Sequence, residues 1–214
     1  MKLLIFSLLL SFNCMVSFAQ FEGSKQTYSS PKLKEEIAKH KIVAILPFSV
    51  SITYKRPPKN YDDDANKNEE KSIAKNLQQS MFTFLLRKSN NYTVSFQDVN
   101  KTNALLTSKG IMNKLDEITQ DSLCRALGVD AVIKCNYSYE KTASQGAAIA
   151  TAIILGGAGG KTGSGALTMQ IYNSTTGDLL WRFYKAMDDN ITTSSDQLIE
   201  RMMRKVSRNF PYEK

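Results

Sequence analysis

Histidine and cysteine are nearly absent, and most metal and redox chemistry is excluded with them. The chain has one histidine, His40, and three cysteines, Cys14, Cys124 and Cys135, with no C-x-x-C pair. Metal sites built on Cys and His need several such ligands at close spacing, so none is expected. A G-x-S-x-G elbow and a phosphate-binding loop are also missing. Gly156, Gly157, Gly159 and Gly160 do precede Lys161 and Thr162. A phosphate loop runs from a strand into a helix, however, and here a strand follows. His40 stands at a Lys-rich helix end and reads as a surface residue. Catalysis needs positioned groups of matched pKa, and no such set stands out. The sequence therefore points to a protein that is not an enzyme and needs no cofactor. Asp62, Asp63 and Asp64 lack the alternating ligands and the turn glycine of a calcium loop. They read as a solvated loop entering a helix, where acids suit the helix dipole.

The first residues are a separate unit. Lys2 precedes an apolar run from Leu3 to Leu10, and Ser17 and Ala19 place small residues around a cut. This pattern reads as a secretory signal peptide over 1–19, cleaved after Ala19. The run is short and broken by Asn13, which argues against a transmembrane anchor. Lipid attachment at Cys14 is the other alternative, although Ser11, Phe12 and Asn13 fit lipoprotein processing poorly. The formal charge is +8, and only Lys2 leaves with the leader, so the mature chain keeps 27 basic against 20 acidic residues. For an exported protein, nucleic acid is not an expected partner. Anionic head groups or wall polymer suit such a surface better. An exported compartment also permits a disulfide between Cys124 and Cys135, but apolar flanks make two buried thiols the plainer reading.

What is present is an ordinary globular composition, 42% hydrophobic and 22% charged, enough for one core. Ile42 to Phe48 (IVAILPF) is a continuous apolar run and predicts a strand buried on both faces. Pro47, which cannot donate to a ladder, belongs at its C-terminal end or at a bulge. Residues 20–30 read as a flexible lead-in, and Ser30 and Pro31 open a short helix carrying Leu33 and Ile37. A charged Pro-Pro loop follows Ile52. Ile73, Leu77, Met81 and Phe84, with Ala74 and Leu85, form one helical stripe over 65–88. Further expectations are a strand over 92–96, a helical turn over 101–108 and a helix from about 119 stopped by Gly128. A strand over 131–137 and paired strands 167–172 and 179–184 turning at Gly177 follow. A last helix carries Leu198, Met202 and Val206, with Ile199 and Phe210 beside it. The order predicts an α/β fold: a mixed sheet with helices packed on it, closed by a late antiparallel hairpin. The expected organisation is a 1–19 leader, a 20–40 lead-in with its short helix, and one α/β domain over 41–214 with a glycine-rich insert, 142–165.

Three stretches now resemble a group of bacterial envelope proteins. Lys41 to Phe48 (KIVAILPF) is similar to their opening strand, Leu127 to Ile133 (LGVDAVI) to a helix-to-strand junction, and Thr176 to Trp181 (TGDLLW) to the turn of a late hairpin. The group includes the periplasmic domain of the curli secretion channel (CsgG), LpoB-type activators of penicillin-binding proteins, and the N-terminal domain of TolB. The resemblance spans about 41–210 and implies export, association with the outer envelope and work done by contact. The poor lipoprotein signal at Cys14 departs from the lipoprotein members.

The least usual feature is glycine. Seven of eleven glycines lie between 146 and 165, and no residue over 142–160 is charged. Gly146, Ile149, Ile153, Ile154, Leu155, Gly156, Gly157, Gly159 and Gly160 are the candidate contact residues for a partner subunit or a membrane. As a helix, 146–160 would span about 22 Å at ~1.5 Å per residue, short of a hydrocarbon core of about 30 Å. Packing against the chain's own sheet is the structural alternative. The function expected is a non-catalytic, exported binding or assembly accessory of the cell envelope. It would act by protein–protein contact in the periplasm or at the periplasmic face of the outer membrane, with envelope proteins or a second copy as partners. The alternatives are a pore-type subunit of an outer-membrane secretion system and an undetected hydrolase of envelope polymer.

Overall fold

A computed structural model describes residues 25–141, 163–189, 195–206 and 209–214. The apolar run forms β2 (Ile42–Ile45) as expected. Val43 and Ile45 enter one hydrophobic cluster, while Ala44 and Leu46 enter a second. Alternation along a strand sends these pairs to opposite faces, so both faces are covered. Ile42, at the strand's start, is the exception and is 43% exposed.

After β2 the chain breaks at Pro47 and resumes as β3 (Ser49–Tyr54). Both strands run parallel to one long neighbour, β5 (Ala131–Lys141). Ile45 pairs with Ile133 and Ser49 with Asn136, so the β2–β3 side carries one more residue than β5 between these pairs. Pro47 sits in that bulge, where its missing N–H is harmless. The sequence reading assigns no strand to Ser49–Tyr54 and begins its polar loop after Ile52, inside this strand. Its Val50, Ile52 and Tyr54 do alternate with small polar residues.

The sheet is mixed. β4 (Ser95–Phe96) lies parallel beside β2, while β6 (Gly163–Asn173) and β7 (Leu179–Asp189) continue antiparallel from β5. The described sheet has the order β1-β7-β6-β5-β2-β4, with β3 alongside β5. Its outer strand, β1 (Lys25–Ser29), falls in the stretch expected to be a flexible lead-in. It pairs antiparallel with β7. None of its residues is buried, so no apolar alternation signals it. The expected strand over 92–96 shrinks to two residues, because Tyr92 bridges to Glu213 and the Thr93 N–H donates to the Tyr212 carbonyl, so only Ser95 and Phe96 pair with β2.

Helices cover both faces. On the first, α2 (Asp63–Arg87) and α5 (Ser195–Val206) bury the expected stripes. Leu77, Met81 and Phe84 pack with Leu198, Met202 and Val206 in the larger cluster. The short α1 (Leu33–Ile37) adds Leu33 and Ile37 at its margin. On the second face, α3 (Val99–Ser108) and α4 (Gln120–Leu127) supply Leu106, Leu123, Cys124 and Leu127 against Val132. Asp62 caps α2 by accepting from the Asp64 and Ala65 N–H groups. Gly128 ends α4 in the left-handed region, φ 67°, as a C-terminal glycine should. Gly177 takes φ 73° in the β6–β7 turn. Trp181 and Phe183 share the buried face of Leu167, Met169 and Ile171, as expected. Leu179 does not, because a bulge at Leu180 shifts the register.

Cys124 and Cys135 are free thiols. They lie in the two separate clusters, on opposite faces of the sheet, so the disulfide considered above is not formed. Burial pushes the Cys124 thiol up to about 12 and raises Cys135 as well. Both stay protonated and behave as small apolar residues.

Candidate partner-binding surface

The glycine-rich contact candidates, Gly146 to Gly160, lie outside the described residues. Their anchorage does not. Lys141 closes β5, Gly163 opens β6, and the two are register partners. The segment 142–162 is thus the connection of an antiparallel pair and leaves and returns at one point on the sheet's end. Lys141 Nζ is fixed there, 2.8 Å from the Glu69 carboxylate and 3.2 Å from the Tyr54 hydroxyl. It also stands 5.1 Å from the Tyr54 ring centroid. Gly163 is there for space: a Cβ would come within 2.5 Å of the Tyr139 ring and 2.6 Å of the Glu140 carbonyl oxygen. Gly165 pairs directly with Tyr139. Both glycines lie in β6, and Gly163 is needed there for close packing, a role that composition does not separate from the rest of the cluster.

The sheet's open edges differ in how they are covered. On β3, the Ile52 N–H donates to Glu70 Oε1 at 2.7 Å. The Asn66 amide donates to the Ile52 carbonyl at 3.1 Å. α2 therefore closes that edge with its own side chains, which removes a template for strand addition. No such cover lies over β1 among the described residues. Every β1 residue is exposed, and Tyr28 presents half of its surface to solvent.

A groove of about 570 Å³ runs between α2 and α5 over Phe84 and Ile199. Its walls are tied across: Arg87 pairs with Glu200, and Ser80 donates to Asp196 at 2.5 Å. Both ties are exposed, and such pairs contribute little individually. The groove reads as a helix–helix seam.

His40 corrects the sequence reading. It is 7% exposed, and its Nδ1 lies 2.8 Å from the Tyr212 hydroxyl. Burial lowers its pKa against the opposing pull of Asp130 and Asn173. Asp130 is itself held low. Burial alone would raise it, but the Ile42 and Lys41 N–H groups donate to its carboxylate at 2.9 and 2.7 Å. Glu36 links this corner to α1, accepting from Lys39 at 2.8 Å and from Asn173 at 2.6 Å. The C-terminal residues complete it: the Thr93 N–H donates to the Tyr212 carbonyl, and the Lys214 N–H to that of Asn91. This network pins the chain end to the entry of β2. It has the character of a structural knot. Among the described residues, no group of three or more His, Cys, Asp or Glu side chains is placed to hold a metal, and no helix is long and apolar enough to cross a membrane.

No family model and no curated protein matches the chain. Solved structures do show similarity. The PelC dodecamer from Paraburkholderia phytofirmans is 9% identical, with 90% of this chain and 99% of that one covered, at a TM-score of 0.44. Lipoprotein GNA1162 from Neisseria meningitidis is 11% identical, with 78% and 94% covered, at 0.40. The LpoB C-terminal domain from Escherichia coli is 12% identical, with 74% and 94% covered, at 0.34. Likenesses at this level carry no argument about what this chain does.

Proposed function

We propose that this chain is a non-catalytic, exported accessory protein of the cell envelope that works by protein–protein contact. The glycine-rich connection 142–162 and the open sheet edge are its contact surfaces. The observation that carries this reading is the anchorage of that connection. A long segment, uncharged over 142–160, starts and ends at one fixed point, Lys141 and Gly163, at the end of the sheet. The leader-like first residues and the basic balance of the chain agree with export. The compartment proposed is the periplasm or the periplasmic face of the outer membrane.

Photo-crosslinking in intact cells tests the contact role. A photoreactive residue is placed at Ile149 or Ile153, and, as a control, at Tyr61 in the exposed loop before α2. Discrete crosslinked species from 149 and 153, absent from 61, are expected. Equal labelling from all three positions, or crosslinks only within the chain itself, would contradict the proposal.

A further inference from the structure

Among the described residues nothing pairs with the outer edge of β1, and its sequence is complementary to itself. The Ser30 N–H donates to the Leu180 carbonyl at 2.8 Å, next in register after the Ser29–Trp181 pair. That bond sets the parity of the strand. In an antiparallel ladder, alternate residues turn both backbone groups toward the partner. Gln26 and Tyr28 therefore face β7, and Lys25, Thr27 and Ser29 direct N–H and C=O outward. The β1–β7 register is continuous through all five pairs, with no bulge to twist the edge away. The strand also lacks proline, and its one charged residue is Lys25, at the end. These are the devices that usually blunt an edge, and α2 supplies such cover to β3 but not to β1.

We propose that β1 pairs antiparallel with β1 of a second copy of this chain, about a two-fold axis at Thr27, joining two sheets into one. The register follows from the outward groups. Thr27 meets Thr27 of the second copy, and Lys25 meets Ser29, each exchanging both backbone hydrogen bonds. Gln26 and Tyr28 face one another between them. Thr–Thr pairs are favourable across strands, while like charges directly opposite are not. Here Lys25, already beside Lys185 of β7, meets a neutral hydroxyl. The antiparallel sense also sends Lys32 and Lys34 of the two copies to opposite ends. The contact is isologous, so it closes as a dimer and does not propagate. A parallel pairing in register would stack Lys25 on Lys25 and loses on charge.

This inference deepens the contact role proposed above and rests on it for its meaning in the cell. Its test uses the purified mature chain, residues 20–214, which lacks Cys14, so failure of one does not imply failure of the other. Sedimentation velocity over a wide concentration range is expected to show a reversible monomer–dimer equilibrium. Thr27→Lys places two ammonium groups across the axis, and Thr27→Pro removes an outward N–H while leaving the β7 bonds intact. Both are expected to remain monomeric with unchanged far-UV circular dichroism. Thr27→Cys brings two Cα atoms to about 5.5 Å in a hydrogen-bonded pair, within disulfide range. It is expected to give a covalent dimer under mild oxidation. Gln26→Cys and the parent chain, whose Cys124 and Cys135 are buried, are expected not to. A parent chain monomeric at every concentration, or a dimer that Thr27→Lys leaves intact, overturns the proposal.

Discussion

His40 shows what one buried side chain can do to the stability profile. Its folded pKa is lowered, chiefly by burial, so between that value and the ordinary value of about 6.5 the unfolded chain binds more protons. Stability on this account is complete above about pH 6.5 and falls as the pH drops below it. Asp130 and Glu36 have lowered pKa values, so their contributions are complete above the ordinary carboxylate range and are lost as the pH falls through that range toward the lowered folded values. Thermal midpoints followed from pH 7.5 to 5 are expected to fall, and His40→Gln is expected to flatten that slope. The free thiols make a second prediction at this scale. Reductant is expected to leave the midpoint unchanged, and thiol reagents are expected to label Cys124 and Cys135 only after unfolding. The sequence missed the burial of His40 because its partner, Tyr212, lies 172 positions away. A Lys-rich neighbourhood gives no sign of an aromatic hydroxyl arriving from the chain's end.

Among the elements, legibility tracked apolar periodicity. The α2 stripe Leu77, Met81 and Phe84 and the α5 stripe Leu198, Met202 and Val206 were readable because a helix buried on one side repeats at 3.6 residues. β2 was readable as a dense apolar run. β1 was not, because backbone bonds to β7 hold it and both its faces meet solvent. β3 carried a usable signal in the alternation of Val50, Ile52 and Tyr54. The preceding proline and the charged loop after it drew the boundary too early. The cover over β3 is testable. Glu70→Ala leaves the Ile52 N–H without its acceptor and is expected to destabilise by about 1–3 kcal/mol in urea unfolding. Gly163→Ala forces a methyl against the Tyr139 ring and the Glu140 carbonyl oxygen and is expected to lose about 1–3 kcal/mol. Tyr139→Ala added to it is expected to restore only part, since the carbonyl is backbone and stays.

At the scale of the whole molecule, the described residues form a mixed sheet with helices on both faces, in which β2, β3 and β6 all pair with β5. The fold class was legible because the order of apolar runs and turn residues admits few topologies. The proposed contact surface was legible only as composition: glycine enrichment marks a segment but not its partner, and Gly163 and Gly165 belong to β6. The hydrogen bonds around His40 hold the chain's end to the entry of β2. The central claim is exported contact through the glycine-rich connection. Fractionation of cells carrying either the native chain or a deletion of 146–160, followed by a carbonate wash, tests it most directly. The native chain is expected to be exported, cleaved after Ala19 and retained with the envelope. The deletion is expected to be exported, protease-resistant and released as soluble protein. A native chain that stays in the cytoplasm with its leader intact, or both forms equally soluble, would contradict the claim.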